Sequence, residues 1–118
     1  MNSAAPSRRW LSLYPKDYPP DMTPEAVTPL DHLRSTVKLH GQNPAIYYFD
    51  RIISYRELDQ MSDAFACALK DLGIGRGDRV AIYLQNIPQF IISQLGTWKM
   101  GGIVVPLNPM YRDCLLYT

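Results

Sequence analysis

Apolar residues recur at helical spacing in two stretches of the chain, and each stretch carries the marks of a helix end. The first begins at Thr28 and Pro29, an N-cap residue followed by a first-turn proline, and Gly41 stops it. The second begins at a capping box formed by Ser54 and Glu57 and runs as far as a glycine. The sequence therefore predicts two helices, whose apolar stripes are Leu30, Leu33 and Val37 in the first and Leu58, Met61, Phe65, Ala68, Leu69 and Leu72 in the second.

Shorter apolar runs predict strands. Residues 45–49 and 52–53 are apolar and aromatic, and only Asp50 and Arg51 separate them, which is the spacing of a two-residue β-hairpin. Residues 79–84 form a β-branched run between turn residues, as a buried strand does. The chain is therefore predicted to alternate strands with helices, as an α/β protein does.

The stretch 77–108 is predicted to form one strand–helix–strand unit. Asn86 can cap its helix, Pro88 suits the first helical turn, and glycines at 101–102 can end the helix before a second strand at 103–106. Because a full helix joins the two strands, we expect them to be parallel. The helix is expected to bury Ile87, Phe90, Ile91, Leu95 and Trp98, with Gly96 at a close packing point, and to turn Gln89, Ser93, Gln94 and Lys99 mainly to the other side.

This unit resembles the N-terminal part of an adenylate-forming (AMP-binding) acyl-CoA synthetase. The resemblance is carried by G-D-R-V-A-I at 77–82, by Asn86, Pro88 and Gly101, and by V-V-P-L-N-P at 104–109. It extends loosely from Leu30 to Arg112. The early W-L followed by Tyr-Pro, between Trp10 and Pro15, is similar to the start of bacterial long-chain fatty-acid-CoA ligases.

The resemblance implies a chemistry and an architecture. Family members activate a carboxylic acid with ATP, releasing pyrophosphate, and pass the acyl group to coenzyme A; the complete enzyme uses ATP, Mg²⁺ and coenzyme A. Residues 28–118 are then an incomplete N-terminal segment of the AMP-binding domain, with parallel strands at about 79–84 and 103–106, and residues 1–27 are an extended, proline-rich arm. After Arg112 the sequence departs from the family pattern, and the chain ends before the charged helix that the family places there.

The family's catalytic groups match no position of this chain. The Ser/Thr/Gly run ending in Pro-Lys-Gly, the later acidic and arginine motifs and the lysine near the far end all belong to later parts of the family's sequence. We therefore assign no catalytic, cofactor-binding or metal-binding residue, and expect no cofactor in this segment and no activity from it alone.

Two other classes of function remain open. One is a non-enzymatic interaction fragment that docks on the remainder of the ligase or on a homologous subunit, since two parallel strands flanked by helices leave apolar faces and sheet edges for another part to cover. The other is a free-standing nucleotide-binding domain, which the lack of a phosphate loop disfavours. The proline-rich arm has an apolar cluster formed by Trp10, Leu11, Leu13 and Tyr14. This cluster is expected to pack on the domain and not on a membrane or a partner.

The composition limits the classes of partner and the cellular compartment, but it indicates no further functional site. A formal net charge of +1 over 118 residues gives no long-range electrostatic field that would attract nucleic acid or an anionic membrane surface. Cys67 and Cys114 lack the spacing of a zinc or redox pair, which favours a reducing compartment, and Cys67 is expected to be a small packed residue. No stretch reaches the ~20 apolar residues of a membrane span. We expect a cytoplasmic protein with at most peripheral membrane association.

Four groups of residues invite a chemical role, and each has a simpler interpretation. Glycines at 73–77 leave a helix and open a strand, the reverse of a dinucleotide loop, so a helix C-cap and turn are predicted. His32 and His40 have no ligand partner at metal spacing and are expected on the helix surface. The start of the helix after Asn86 offers N–H groups to an anion, but no basic residue accompanies it. Candidate acids are Asp78, Asp59 and Asp63, of which the last two are expected on a solvated helix face.

Overall fold

The structure, a computed structural model, describes residues 8–19, 21, 23 and 26–110. It is an α/β fold with an antiparallel hairpin and a parallel strand–helix–strand unit, as predicted. Expectations that concern residues 1–7 and 111–118, Cys114 among them, lie outside the described residues. In chain order the elements are α1 (Pro29–His40), β1 (Pro44–Tyr48), β2 (Arg51–Ser54), α2 (Tyr55–Asp71), β3 (Arg79–Tyr83), α3 (Pro88–Lys99) and β4 (Ile103–Leu107).

The hairpin turns one residue earlier than predicted. Tyr48 pairs with Arg51, so the two loop residues are Phe49 and Asp50. Phe49 has a φ of 48°, a left-handed conformation that an aromatic residue rarely adopts. Its side chain is 91% exposed. The turn therefore depends on a left-handed backbone conformation at Phe49, which an aromatic residue type does not predict.

Strands β3 and β4 are parallel, as predicted, with Arg79 opposite Ile103 and Tyr83 opposite Leu107. The predicted cap of the intervening helix is wrong: α3 begins one residue later than Asn86 would require, with Ile87 at the N-cap position and no side-chain cap. Pro88 does occupy the first turn.

The end of α3 follows the prediction. Gly101 has a φ of 84°, and the N–H of Gly102 donates to the carbonyl of Thr97 over 2.9 Å, which closes the helix with a left-handed turn.

Helix α3 packs on α2 through its small residues, and the predicted division of its faces is wrong in part. Thr97 and Ser62 are fully buried, and Ser93 is 9% exposed. Ile91, predicted on the buried face, is 39% exposed. The predicted close contact at Gly96 is confirmed, because a Cβ there would stand 2.7 Å from the backbone oxygen of Ser62. Small side chains allow the helices to approach closely, so hydrophobicity alone did not identify the buried face.

Two capping boxes fix the starts of α1 and α2. The Ser54 hydroxyl accepts from the N–H of Glu57, whose carboxylate accepts from the Ser54 N–H over 2.8 Å. Thr28 and Asp31 make the same reciprocal pair at α1. Hydrogen bonds from the Ser54 backbone and side chain lower the pKa of Glu57, and those from Thr28 lower the pKa of Asp31. The predicted box at Ser54 is confirmed, and the box at Thr28 adds a second.

These lowered pKa values predict a loss of stability on acidification. A carboxyl group whose pKa is lower in the folded protein stabilises the fold at pH values above its pKa in the unfolded chain, which is ordinarily 4.5 for Glu57. This stabilisation is lost as the pH falls through the pKa of the folded protein. We expect Glu57→Gln to flatten this acid loss, measured by urea unfolding at neutral pH and at successive pH values below 4.5. Ser54→Ala should flatten it as well. An acid dependence identical to that of the unmodified chain in both variants would contradict this account.

The arm is only partly extended, and its apolar cluster does not pack as predicted. Residues Arg9–Leu13 form a short 3-10 helix. Trp10 is 53% and Leu13 84% exposed, so these side chains are not packed on the domain. Within the described residues, no helix is long and apolar enough to span a bilayer.

Candidate functional site

A groove of 750 Å³ lies at the carboxyl ends of β3 and β4. Open α/β sheets bind ligands at this edge, where the loops that follow parallel strands lie side by side. The groove is formed by the residues after β3, the start of α3, the end of β4 and the tip of the hairpin. Its lining comprises Tyr48, Phe49, Leu84, Gln85, Asn86, Ile87, Phe90, Pro106, Leu107, Asn108, Pro109 and Met110.

The described residues that line the groove carry no charge. Their polar side chains are three amides, Gln85, Asn86 and Asn108, and one phenol, Tyr48. Amides and aromatic rings can hold and orient a ligand through hydrogen bonds and stacking. These residues therefore suit the groove to binding a ligand.

Hydrogen bonds hold the loop after β4 in place beside this groove. The Asn108 side-chain oxygen accepts from the Met110 N–H over 2.9 Å, and the Tyr83 hydroxyl donates to the Pro109 carbonyl over 2.8 Å. Two rigid prolines flank Asn108 within two residues on either side. The loop is thus shaped before any ligand arrives. Sequence reasoning recognised Pro106, Asn108 and Pro109 only as a rigid exit from the strand, because the groove exists only once β3, β4 and the hairpin are assembled.

The glycine run has the structural role that was predicted for it. Gly73 has a φ of 83°, and the Ile74 N–H donates to the Leu69 carbonyl over 3.1 Å, so the run begins by closing α2. Asp78 then accepts from the Gly75 N–H over 2.7 Å. The Asp78 carboxylate thus holds a turn, and the run forms no phosphate loop.

Asp59 was predicted on a solvated helix face, but its side chain is only 27% exposed; Asp63, at 62%, is on the solvated face and is paired with a lysine. Lys99, itself expected to point outward, has a side chain only 11% exposed. Its ammonium donates to Asp59 Oδ1 over 2.6 Å, to Asp63 Oδ1 over 2.7 Å and to the Asp59 carbonyl over 2.9 Å. These contacts tie α3 to α2. The three residues form a structural ion-pair cluster in which one ammonium contacts both carboxylates.

Neither histidine lies at a site, and the free thiol is not packed. His32 and His40 are exposed on α1, as predicted. Cys67 is exposed, contrary to the prediction, beside a smaller concavity of 380 Å³ that also contacts Lys70 and Arg76. In the described ranges, no three His, Cys, Asp or Glu side chains come together to hold a metal ion.

Comparison with known proteins identifies the family. A sequence model of the AMP-binding enzymes matches residues 33–114. The long-chain-fatty-acid–CoA ligase of Escherichia coli O6:H1 is 35% identical over 104 residues, covering 86% of this chain and 18% of the ligase. The 3-hydroxybenzoate–CoA/4-hydroxybenzoate–CoA ligase of Thauera aromatica is 37% identical over 68 residues, covering 58% of this chain and 13% of that ligase.

Solved structures agree with the sequence comparison. The N-terminal subdomain of Klebsiella oxytoca NpsA, in complex with 3-hydroxyanthranilyl-AMSN, superposes with a TM-score of 0.70 at 28% identity. The superposition covers 73% of this chain and 22% of that one. The present chain therefore spans between 13% and 22% of the length of these three proteins and matches their N-terminal region. It belongs to the AMP-binding enzyme family and corresponds to the N-terminal region of its acyl-CoA ligases.

Proposed function

We propose that this chain is the N-terminal portion of an ATP-dependent acyl-CoA synthetase that acts on fatty acids. The observation that carries the proposal is its similarity, over most of its length, to long-chain-fatty-acid–CoA ligases. In such an enzyme a fatty acid, ATP and coenzyme A give acyl-CoA, AMP and pyrophosphate. The similarity to a hydroxybenzoate–CoA ligase supports the same reaction with a different acid, so the acid is the less constrained part of the proposal.

The residues described here would serve such an enzyme as scaffold and binding wall. The described lining of the groove at the ends of β3 and β4 consists of amides, aromatic rings and apolar side chains, without a charged group. ATP activation needs cations and a magnesium site around the α-phosphate. We therefore derive no catalytic step from this segment and expect it to be inactive alone.

The second candidate is a non-enzymatic fragment that docks on a homologous ligase subunit. One observation favours it: Ile103, an apolar residue of the parallel pair, is 47% exposed, as residues of a docking surface are. Such a fragment would bind without supporting turnover. Both candidates use the same surfaces, so activity distinguishes them.

A pair of chimeras tests the proposed reaction and its acid together. In one, this chain replaces the matching stretch of the E. coli long-chain ligase; in the other, it replaces the matching stretch of the Thauera ligase. We expect acyl-CoA formation to stay within about tenfold of the parent in the fatty-acid ligase, and to fall further in the hydroxybenzoate ligase, because packing across the junction is adapted to one lineage. The reverse order would contradict a fatty-acid enzyme, and two inactive but folded chimeras would favour the docking fragment.

A further inference from the structure

The arm presents four large, mostly apolar side chains to solvent. Trp10 is 53%, Leu13 84%, Tyr14 48% and Tyr18 60% exposed. A single exposed apolar side chain, such as Leu72 at the end of α2, is ordinary on a protein surface and needs no partner. The four arm residues follow one another closely in the chain, so they offer a joint surface, which we call the arm patch.

A 3-10 helix arranges the first half of the arm patch. In the helix Arg9–Leu13, residues three apart lie above each other, because a 3-10 helix has three residues per turn. Trp10 and Leu13 therefore share one face. Arg9 lies in line with Ser12, whose hydroxyl donates to the Arg9 carbonyl over 2.8 Å. The exposed apolar side chains and the polar ones are thus on different faces, as in an element that lies in a membrane interface.

A turn arranges the second half of the arm patch. The Tyr18 N–H donates to the Pro15 carbonyl over 3.0 Å, and the rings of Tyr14 and Tyr18 meet edge to face with their centroids 6.1 Å apart. Each ring has an apolar body and a hydroxyl group at its tip. Tyrosine and tryptophan are enriched where a bilayer meets water, because such rings suit both environments.

Positive charge borders the arm patch. The first sixteen residues contain three cations, Arg8, Arg9 and Lys16, and no acid, and Asp17 and Asp21 follow them. Arg8 pairs with Asp21, whereas in the described part of the chain Arg9 and Lys16 form no ion pair. Two cations beside exposed aromatic side chains are therefore available to an anionic surface.

We propose that the arm patch is a contact surface for an anionic phospholipid bilayer. Trp10 and Leu13 enter the boundary between the headgroups and the acyl chains, and Arg9 and Lys16 meet the lipid phosphates. The whole chain has a net charge of only +1, so these cations act at contact and do not attract the chain from a distance. Binding through this surface is weak and reversible, because few side chains enter the bilayer.

The size of the arm patch favours a bilayer over a protein partner. A specific protein interface uses roughly 20–30 residues on each side and needs a complementary shape. The described arm, residues 8–19, is shorter than that. A bilayer requires no complementary shape, so a few aromatic, apolar and cationic side chains are sufficient for a peripheral contact.

Sedimentation with lipid vesicles is the first test. Vesicles of phosphatidylcholine and phosphatidylglycerol in equal parts are compared with vesicles of phosphatidylcholine alone, and we expect the chain to bind the anionic vesicles about tenfold more tightly. Trp10→Ala with Leu13→Ala should weaken this binding by about tenfold or more, because two large apolar side chains no longer leave water. The matched control, Leu39→Ala with Leu72→Ala, removes leucines that are 72% and 77% exposed outside the arm and should leave binding unchanged.

Arg9→Gln with Lys16→Gln measures the role of charge. We expect this variant to bind the anionic vesicles about tenfold more weakly and to bind phosphatidylcholine vesicles as the unmodified chain does. Lys38→Gln with Lys70→Gln removes the same charge from exposed positions on α1 and α2 and should not weaken binding. Equal losses from the two variants would show that net charge, and not the arm, attracts the chain.

Tryptophan emission shows whether the arm patch itself enters the bilayer. The chain has two tryptophans, Trp10 in the arm and Trp98 on α3, of which Trp98 is already partly buried. Anionic vesicles should shift the emission of the unmodified chain to shorter wavelength, and lipids with brominated acyl chains should quench it. Trp10→Phe should abolish both effects.

Other outcomes would overturn the inference. Equal binding by the arm variant and the leucine control, or an emission shift that persists in Trp10→Phe, would place the lipid contact elsewhere. A dimer that Trp10→Ala with Leu13→Ala dissociates would assign the arm patch to a second copy. In the E. coli ligase chimera the same pair of substitutions should also weaken vesicle binding, and no loss there would mean that the rest of the enzyme covers the arm. Vesicle binding is measured without turnover, so its result is independent of the proposed reaction.

Discussion

Gly96→Ala is expected to destabilise the chain by about 2–3 kcal/mol, because the close approach of α3 to α2 leaves no room for a side chain. A Cβ at this position would stand 2.7 Å from the Ser62 backbone oxygen and 2.8 Å from Phe65 Cδ1. The first of these neighbours is backbone and cannot move aside without shifting α2. The free energy of unfolding by urea provides the measurement.

The matched control is Gly75→Ala in the turn before β3. Its Cβ would meet nothing closer than Asp78 Oδ2 at 3.7 Å, and the residue has no positive φ. We expect a free energy of unfolding within about 1 kcal/mol of the unmodified chain, or slightly higher, because alanine restricts the unfolded state. If both variants lost the same stability, the helix contact at Gly96 would not be the reason.

Lys99→Met is expected to lower the free energy of unfolding by about 2 kcal/mol, which is the second of the two largest effects that we predict. The ammonium of Lys99 contacts both Asp59 and Asp63 and is mostly enclosed between α2 and α3. Removing one partner of a buried ion pair costs roughly 3–5 kcal/mol, but solvent reaches Asp63, whose side chain is 62% exposed, so we expect less than that range. The remaining carboxylates would also repel each other.

Lys70→Met on the exposed end of α2 is the control for loss of a lysine charge, and we expect it to change the free energy of unfolding by at most about 0.5 kcal/mol. A double-mutant cycle of Lys99→Met with Asp59→Asn should show coupling, since the two side chains are in contact. Additive effects in that cycle, or equal losses from the two lysine variants, would show that the cluster does not hold α2 to α3.

Local signals along the sequence predicted where the helices begin and end, apart from the start of α3. The capping box of Ser54 and Glu57, the first-turn prolines and the glycines after each helix act through bonds within a few residues, so the sequence displays them directly. The parallel pairing of β3 and β4 followed from the length of the connection alone.

The features that were missed depend on contacts between distant parts of the chain. Lys99 meets Asp59 across 40 residues, which no local spacing displays. Helix α3 is apolar on most of its surface, so hydrophobicity could not show that its small residues face α2. The hairpin turn moved by one residue because Phe49 adopts a conformation that its residue type disfavours. The groove combines loops from three elements and could be recognised only after assembly.

The family assignment and the local geometry lead to one account of this segment. It supplies parallel strands of an AMP-binding domain and a groove at their carboxyl ends whose described lining residues carry no charge. Each of these features supports binding or packing. The groups that would react with ATP are expected to come from the rest of the enzyme.

Carboxylate-dependent exchange of pyrophosphate into ATP tests this account most directly. The chain would be assayed alone and as the chimera in which it replaces the matching stretch of the E. coli long-chain ligase, with a long-chain fatty acid as the carboxylate. We predict no exchange above background from the chain alone, and exchange that depends on the fatty acid from the chimera. Exchange by the purified chain alone would contradict the account, because it would place the ATP site within these 118 residues.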